Sequence, residues 1–242
     1  MDKTVHVFGD SHTYGDGLED CGFEQPWKQH SVQSWPYQMF NKSQIKNFSY
    51  PGCSNDTICL RLARYTTKNN IVLIMFTYPE RLHIIKHGYN FVIGPSFSQS
   101  VSESGNENWV SKQIAEKEKE KDIKFIVDNF DDNFLEILFL KNILWCQYFC
   151  ESNNIEYYFT MVTNRHKNIM KQSLEKYRDG LYNNIKWNNF FLVENKYGFA
   201  DWGKHINADK GNDGTHFGHK YHEEFGRTVS YTHLTLPTSS RV

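Results

Sequence analysis

The run Ile71–Phe76, read as IVLIMF, constrains the fold of this chain more than any other stretch. An unbroken apolar run has no polar face to give to water, so a strand built from it must be covered on both sides. That is the situation of a central strand in a parallel sheet with helices on each face. Related runs stand at Thr4–Phe8 and Ile155–Val162, with shorter ones at Ile45–Tyr50 and Phe190–Val193. Helical stretches lie between them. One opens at Ser34-Trp35-Pro36, with Ser34 as cap and Pro36 in the first turn. Another opens at Ser54-Asn55-Asp56 and carries Ile58, Leu60, Leu62, Ala63 and Tyr65. Leu135–Tyr148 is the most apolar helical stretch and the natural main cover of the sheet. Strand and helix alternate throughout, which predicts an α/β fold: a three-layer α/β/α sandwich with a mostly parallel sheet. Only 39% of residues are hydrophobic but 16% are aromatic, so Phe, Tyr and Trp must build much of the core.

The first strand runs straight into Gly9-Asp10-Ser11. A glycine there permits a sharp turn, and a small hydroxyl then stands at the C-terminal edge of the sheet, where ligands bind in open α/β folds. Ser11 can be a nucleophile, or simply the cap of the next helix. Near the other end stands Asp213-Gly214-Thr215-His216. A serine needs a base, and the base needs a carboxylate to hold its tautomer, so one short loop with both could serve a distant hydroxyl. The same loop reads alternatively as a metal site of Asp213, His216, His219 and His222, although a spacing of three does not align all three histidines on one helix face. On the base-and-orienter reading, His219 is a supporting or capping residue and His222 lies at the surface.

Gly9-Asp10-Ser11, Asp213-x-x-His216 and the middle segment Asn47-Phe48-Ser49-Tyr50-Pro51-Gly52-Cys53-Ser54-Asn55-Asp56 together resemble the SGNH/GDSL hydrolase superfamily, over Thr4 to about Phe225. The resemblance implies an SGNH-hydrolase or flavodoxin-like sandwich and a serine hydrolase of small acyl esters, an O-acetyl group on a carbohydrate among them. Ser11 would attack, His216 would move the proton and Asp213 would orient it. The N–H groups of Ser11 and Gly52 would hold the oxyanion. No cofactor or metal is implied. Asn55 would contact substrate or cap its helix. The family's third block, Gly-x-Asn-Asp, is missing; Phe76-Thr77-Tyr78-Pro79-Glu80-Arg81 stands in its place, similar to a divergent branch in phage and marine bacterial genomes. Thr77 or Arg81 would then fill the oxyanion gap, and Arg81 would bind an anionic substrate group or pair with an acid. Two other readings stay open: an acyltransferase using the same triad, and a non-catalytic glycan-binding module that kept the fold.

The remainder bounds the setting. A formal net charge of -1 gives no electrostatic case for nucleic acid or an anionic membrane. No signal peptide and no membrane-spanning apolar run is evident, and five scattered cysteines without a CxxC fit reduced thiols, so a cytoplasmic protein is expected. Cys53 is a buried filler or a reactive thiol. Asp16–Gln33 reads as a loop over the site, Pro95–Asn108 as a mobile lid, Glu116–Lys124 as a solvated charged face or a partner surface, and Asn164–Leu181 as a basic surface helix. Gly218–Arg227 starts a final helix. Residues 1–228 form one hydrolase-like domain on this reading. Val229-Ser230-Tyr231-Thr232-His233-Leu234 resembles the conceptual translation of a library adapter, so 229–242 read as a non-native tail outside the core.

Overall fold

The computed structural model describes residues 3–21, 29–86, 89–94, 97–101, 132–164 and 175–233. Its centre is a four-stranded sheet in the order β2-β1-β3-β7, with every pairing parallel. These strands are β1 (Val5–Phe8), β2 (Ile45–Asn47), β3 (Ile71–Phe76) and β7 (Glu156–Met161). The apolar run of β3 resolves as its composition requires. Val72, Ile74 and Phe76 enter one core and Ile71, Leu73 and Met75 the other.

The first core is closed by α3 (Asn55–Tyr65) and α4 (Asp132–Ser152), through Ile58, Leu62, Phe139, Leu140 and Ile143. The second is closed by Trp35, by α6 (Phe199–His205) and by α7 (His219–His233), through Phe199, Trp202, Tyr221, Phe225 and Val229. Trp35 directly precedes the short α2 (Pro36–Met39). Aromatic edges supply much of the packing. Phe199 lies within 4.8 Å of the rings of both Tyr221 and Phe225, and Phe76 packs on Phe139, Phe159 and Phe190.

Several local expectations take a different form. Ser34 does not cap α2; its hydroxyl donates to Ser31 O, and Trp35 holds the cap position. The strand expected at Phe190–Val193 is reduced to a parallel bridge between Phe190 and Phe159. A second, antiparallel sheet follows, of β4 (Leu82–Lys86), β5 (Tyr89–Gly94) and β6 (Phe97–Val101). Asn90, Gly94, Ser98 and Ser100 within it resemble loop, yet the three strands pair with one another. The lid expected at 95–108 therefore contains β6, and its residues 95–96 and 102–108 lie outside the described residues. So does the charged run at 116–124. The expected basic helix is described only as α5 (Glu175–Asn184). Among the described residues no helix is long and apolar enough to cross a membrane.

The boundary expected after residue 228 falls inside α7. That helix continues to His233, and Val229 is fully buried in the second core. The segment from 229 thus begins with a core residue rather than outside the core. Val229→Ala is expected to lower unfolding free energy by about 1.5–3 kcal/mol, the scale of burying one such side chain. Urea denaturation of the two proteins measures this.

Candidate active site

The site is built at the C-terminal edge of the sheet, where the strand order reverses on either side of β1 and β3. After β1 the chain turns through Gly9-Asp10 into α1 (Ser11–Tyr14). Asp10 is its N-cap: Oδ1 accepts from His12 N–H at 3.0 Å, and its carbonyl accepts from Thr13 and Tyr14 N–H. Ser11 N–H is the first-turn donor for which no acceptor is found among the described residues. The Ser11 side chain stands at the start of this turn, in contact with the far end of the chain.

That contact comes from the loop before α7. Ser11 Oγ lies 2.9 Å from His216 Nε2, across 205 positions of sequence. His216 Nδ1 lies 2.5 Å from Asp213 Oδ2. The other Asp213 oxygen accepts from Thr215 and His216 N–H, each at 2.9 Å, so one carboxylate both folds the loop and orients the ring. Burial alone would raise the Asp213 pKa, but these donors outweigh it and hold the carboxyl below its ordinary value. The loop is docked on the Ser11 turn by Asn212 N–H donating to Gly17 O at 2.8 Å. Gly17 has φ +83°, and a Cβ there would meet Asp213 Oδ1 at 2.8 Å. Only glycine suits both conditions.

Gly52 sits in a turn of Tyr50-Pro51-Gly52-Cys53. Proline precedes it, its own φ is 75°, and Cys53 N–H donates to Tyr50 O, the pattern of a type II turn. Tyr50 N–H donates to Gly9 O at 3.1 Å, which hangs this turn beside the Ser11 turn. Gly52 N–H, like that of Ser11, has no acceptor among the described residues. Cys53 is fully buried, and burial pushes its thiol up to about 12, which fits the filler reading and not the reactive one.

Asn55, Thr77 and Arg81 have partners other than those expected of a substrate pocket. Ser54, not Asn55, caps α3, accepting from Thr57 N–H. The Asn55 amide instead clamps the end of β3, accepting from Thr77 N–H at 2.9 Å and donating to Thr77 O at 3.2 Å. Thr77 Oγ1 donates to Asp10 Oδ2 at 2.7 Å, so both Thr77 donors are already taken up inside the protein. Arg81 Nη1 donates to Asp10 Oδ2 at 2.7 Å and to Thr77 Oγ1 at 2.8 Å.

His216, His219 and His222 do not converge. His219 is exposed. His222, expected at the surface, is fully buried, and its Nδ1 accepts from Trp35 N–H. It lies beside Tyr221 on the inward side of α7, against Phe199. Two residues at the site carry no motif signal. The His12 ring packs 5.3 Å from that of His216, and the Asp16 carboxyl is raised by burial and by the Asp213 charge. Their neighbours in sequence are the only pointer to them.

No protein-family model and no curated protein matches the chain. Among solved structures it is similar to the lipase Lip_vut3 from a goat rumen metagenome, with 14% identity and a TM-score of 0.47 over 95% of this chain and 97% of that one. It is also similar to a protein named for the G-D-S-L lipolytic family from Desulfitobacterium hafniense DCB-2, with 12% identity and a TM-score of 0.39 over 95% and 99%. A carbohydrate esterase whose active site is described as having divergent catalytic and non-catalytic binding functions gives 12% and 0.45 over 95% and 67%. At such identities the chemistry of this chain must be read from its own residues.

Gly17→Ala is expected to displace Asp213 and so to lower kcat for any reaction that uses the Asp213–His216 pair, by about 10²-fold if the shift approaches 1 Å. Steady-state kinetics of the two proteins checks this. A second outcome concerns pH. Burial pulls His12 down from 6.5 to about 4, and burial also pulls His222 well below its ordinary value. Below 6.5 the unfolded chain therefore binds protons that the folded chain refuses, so stability present above 6.5 is lost as pH falls toward 4. Melting temperature should drop across that window, and His12→Leu should flatten the drop.

Proposed function

We propose that this chain is a serine ester hydrolase of the SGNH/GDSL type, acting on a small acyl ester such as an O-acetyl group on a carbohydrate. The observation that carries the reading is the unbroken contact chain Ser11 Oγ–His216 Nε2 and His216 Nδ1–Asp213 Oδ2, at 2.9 and 2.5 Å. Ser11 Oγ attacks the acyl carbon as His216 Nε2 takes its proton. The resulting imidazolium is stabilised by Asp213, which also keeps Nε2 facing the hydroxyl. The carbonyl oxygen becomes an oxyanion held by the N–H groups of Ser11 and Gly52. Its collapse expels the alcohol, which takes the proton from His216, and water then repeats the sequence on the acyl-enzyme.

With both Thr77 donors taken up and Arg81 Nη1 turned to Asp10 and Thr77, this reading leaves the oxyanion to the two backbone N–H groups. A missing donor of this kind costs roughly 2.7–4 kcal/mol of transition-state stabilisation. Activated esters should therefore be turned over well and plain alkyl esters and amides poorly. The acid–base arrangement requires no metal.

The test is labelling with a fluorophosphonate probe, read by intact mass. One adduct is expected on the wild-type protein and none on Ser11→Ala, and an adduct surviving in the variant would refute the assignment. His216→Ala should remove most of the labelling rate, whereas the exposed His219→Ala should not.

A further inference from the structure

We propose that Arg81 is a positioning residue for Ser11, acting through the buried Asp10 carboxylate that caps the Ser11 turn. The proposal deepens the hydrolase reading and rests on it. Asp10 is the residue before the nucleophile, and its side chain is 0% exposed. A lone carboxylate cannot stay charged at such a depth without a partner. Arg81, itself only 13% exposed, supplies the opposite charge at 2.7 Å, and Thr77 Oγ1 adds a second donor to the same oxygen. The other oxygen is left for the His12 N–H. The three side chains thus join the end of β3 to the first turn of α1, across 67 and 71 positions of sequence.

Two consequences reach the reaction. The first is geometric. Asp10 holds α1 by its carboxylate and its carbonyl together, so a shift of Asp10 carries Ser11 Oγ away from His216 Nε2, which it meets at 2.9 Å. The second is electrostatic. An unpaired negative charge one residue from Ser11 would oppose the negative charge that develops on the oxyanion. The Arg81 guanidinium cancels it. Arg81 is itself held in place: it lies 5.1 Å from the centre of the Tyr78 ring and donates to Thr77 Oγ1, while the Asn55 amide fixes the Thr77 backbone. The charged and titratable groups that act on Asp10 are His12 on its own turn, Arg81 after β3, Cys53 beside Gly52, and Asp16 beyond α1.

The experiment compares the wild type with Arg81→Met, Arg81→Lys, Asp10→Asn/Arg81→Met and Ser11→Ala. Each is assayed for p-nitrophenyl acetate hydrolysis, with kcat expressed per site that a fluorophosphonate can label. Arg81→Met is expected to lower kcat by about 10–100-fold, the scale of a small misplacement, with KM within about twofold because ground-state binding is untouched. Its pH–rate profile should also gain a falling limb that the wild type lacks, as the stranded Asp10 carboxyl ionises without a counter-charge. The double variant removes the stranded carboxylate while Asn remains a good cap, so that limb should vanish and most of kcat return. Arg81→Lys should fall between, since an ammonium on a flexible stem keeps the charge but not the fixed direction of the guanidinium N–H groups. If Arg81→Met does not fold, Arg81→Lys and the double variant carry the same readouts. An Arg81 variant with wild-type kcat per labelled site and an unchanged profile, with Ser11→Ala inactive, would overturn this assignment alone. Wild-type turnover by Ser11→Ala would overturn the hydrolase reading and this assignment with it.

Discussion

The parallel pairing of β1 with β3 is the interaction on which the rest of the molecule depends. Val5 to Phe8 pair in register with Ile71 to Ile74, and from this pair the sheet extends to β2 on one side and β7 on the other. Two strands that leave their pairing at the same edge release their following loops side by side. The turn after β1 carries Ser11 and the segment after β3 carries Thr77 and Arg81, so residues far apart in sequence meet without any long excursion of the chain. Their meeting is a consequence of the sheet topology.

The second support of the site comes from the opposite end of the chain, and it is local in origin. Asp213 folds its own loop by accepting from two backbone N–H groups, and the same carboxylate then meets the His216 ring. Asp209 does similar work for α7, accepting from Tyr221 N–H. The Asp213–His216 contact is therefore made within its own loop. What remains is docking, and that is achieved by one backbone hydrogen bond at Gly17 and by the aromatic packing of Phe217 and Tyr221 against Phe199. Part of the high aromatic content is used here, where large rings fill the space between two helices and the sheet.

The extent to which this was legible in the sequence follows from which signals are local. Runs rich in apolar and aromatic residues announced β1, β3 and β7, because a strand covered on both faces draws most of its residues from that set. Cap and turn chemistry announced α3, through Ser54, and the Gly52 turn, through Pro51-Gly52. Composition misled over β4 to β6, where Asn90, Gly94, Ser98 and Ser100 are interspersed among the apolar residues of paired strands. It also misled at His222, since a histidine next to Tyr221 on an amphipathic helix belongs to the face that packs, whatever its polarity. The Asp10–Thr77–Arg81 cluster left only a weak trace, as a departure from a familiar motif, because nothing in a linear chain says which acid a distant arginine will meet.

The amino-acid sequence by itself determined the covered parallel sheet, the turn that can present Ser11, and the short loop in which Asp213 and His216 find one another. Each of these rests on burial pattern or on hydrogen bonds between near neighbours. Only the tertiary structure decided that His216 reaches Ser11, that Asn55 clamps β3 rather than capping its helix, that Val229 belongs to the core, and that the Asp10 charge is balanced by Arg81. Those contacts join residues brought together by sheet topology, and a buried charge or ring takes its partner from whatever the fold puts within about 3 Å, the reach of a hydrogen bond.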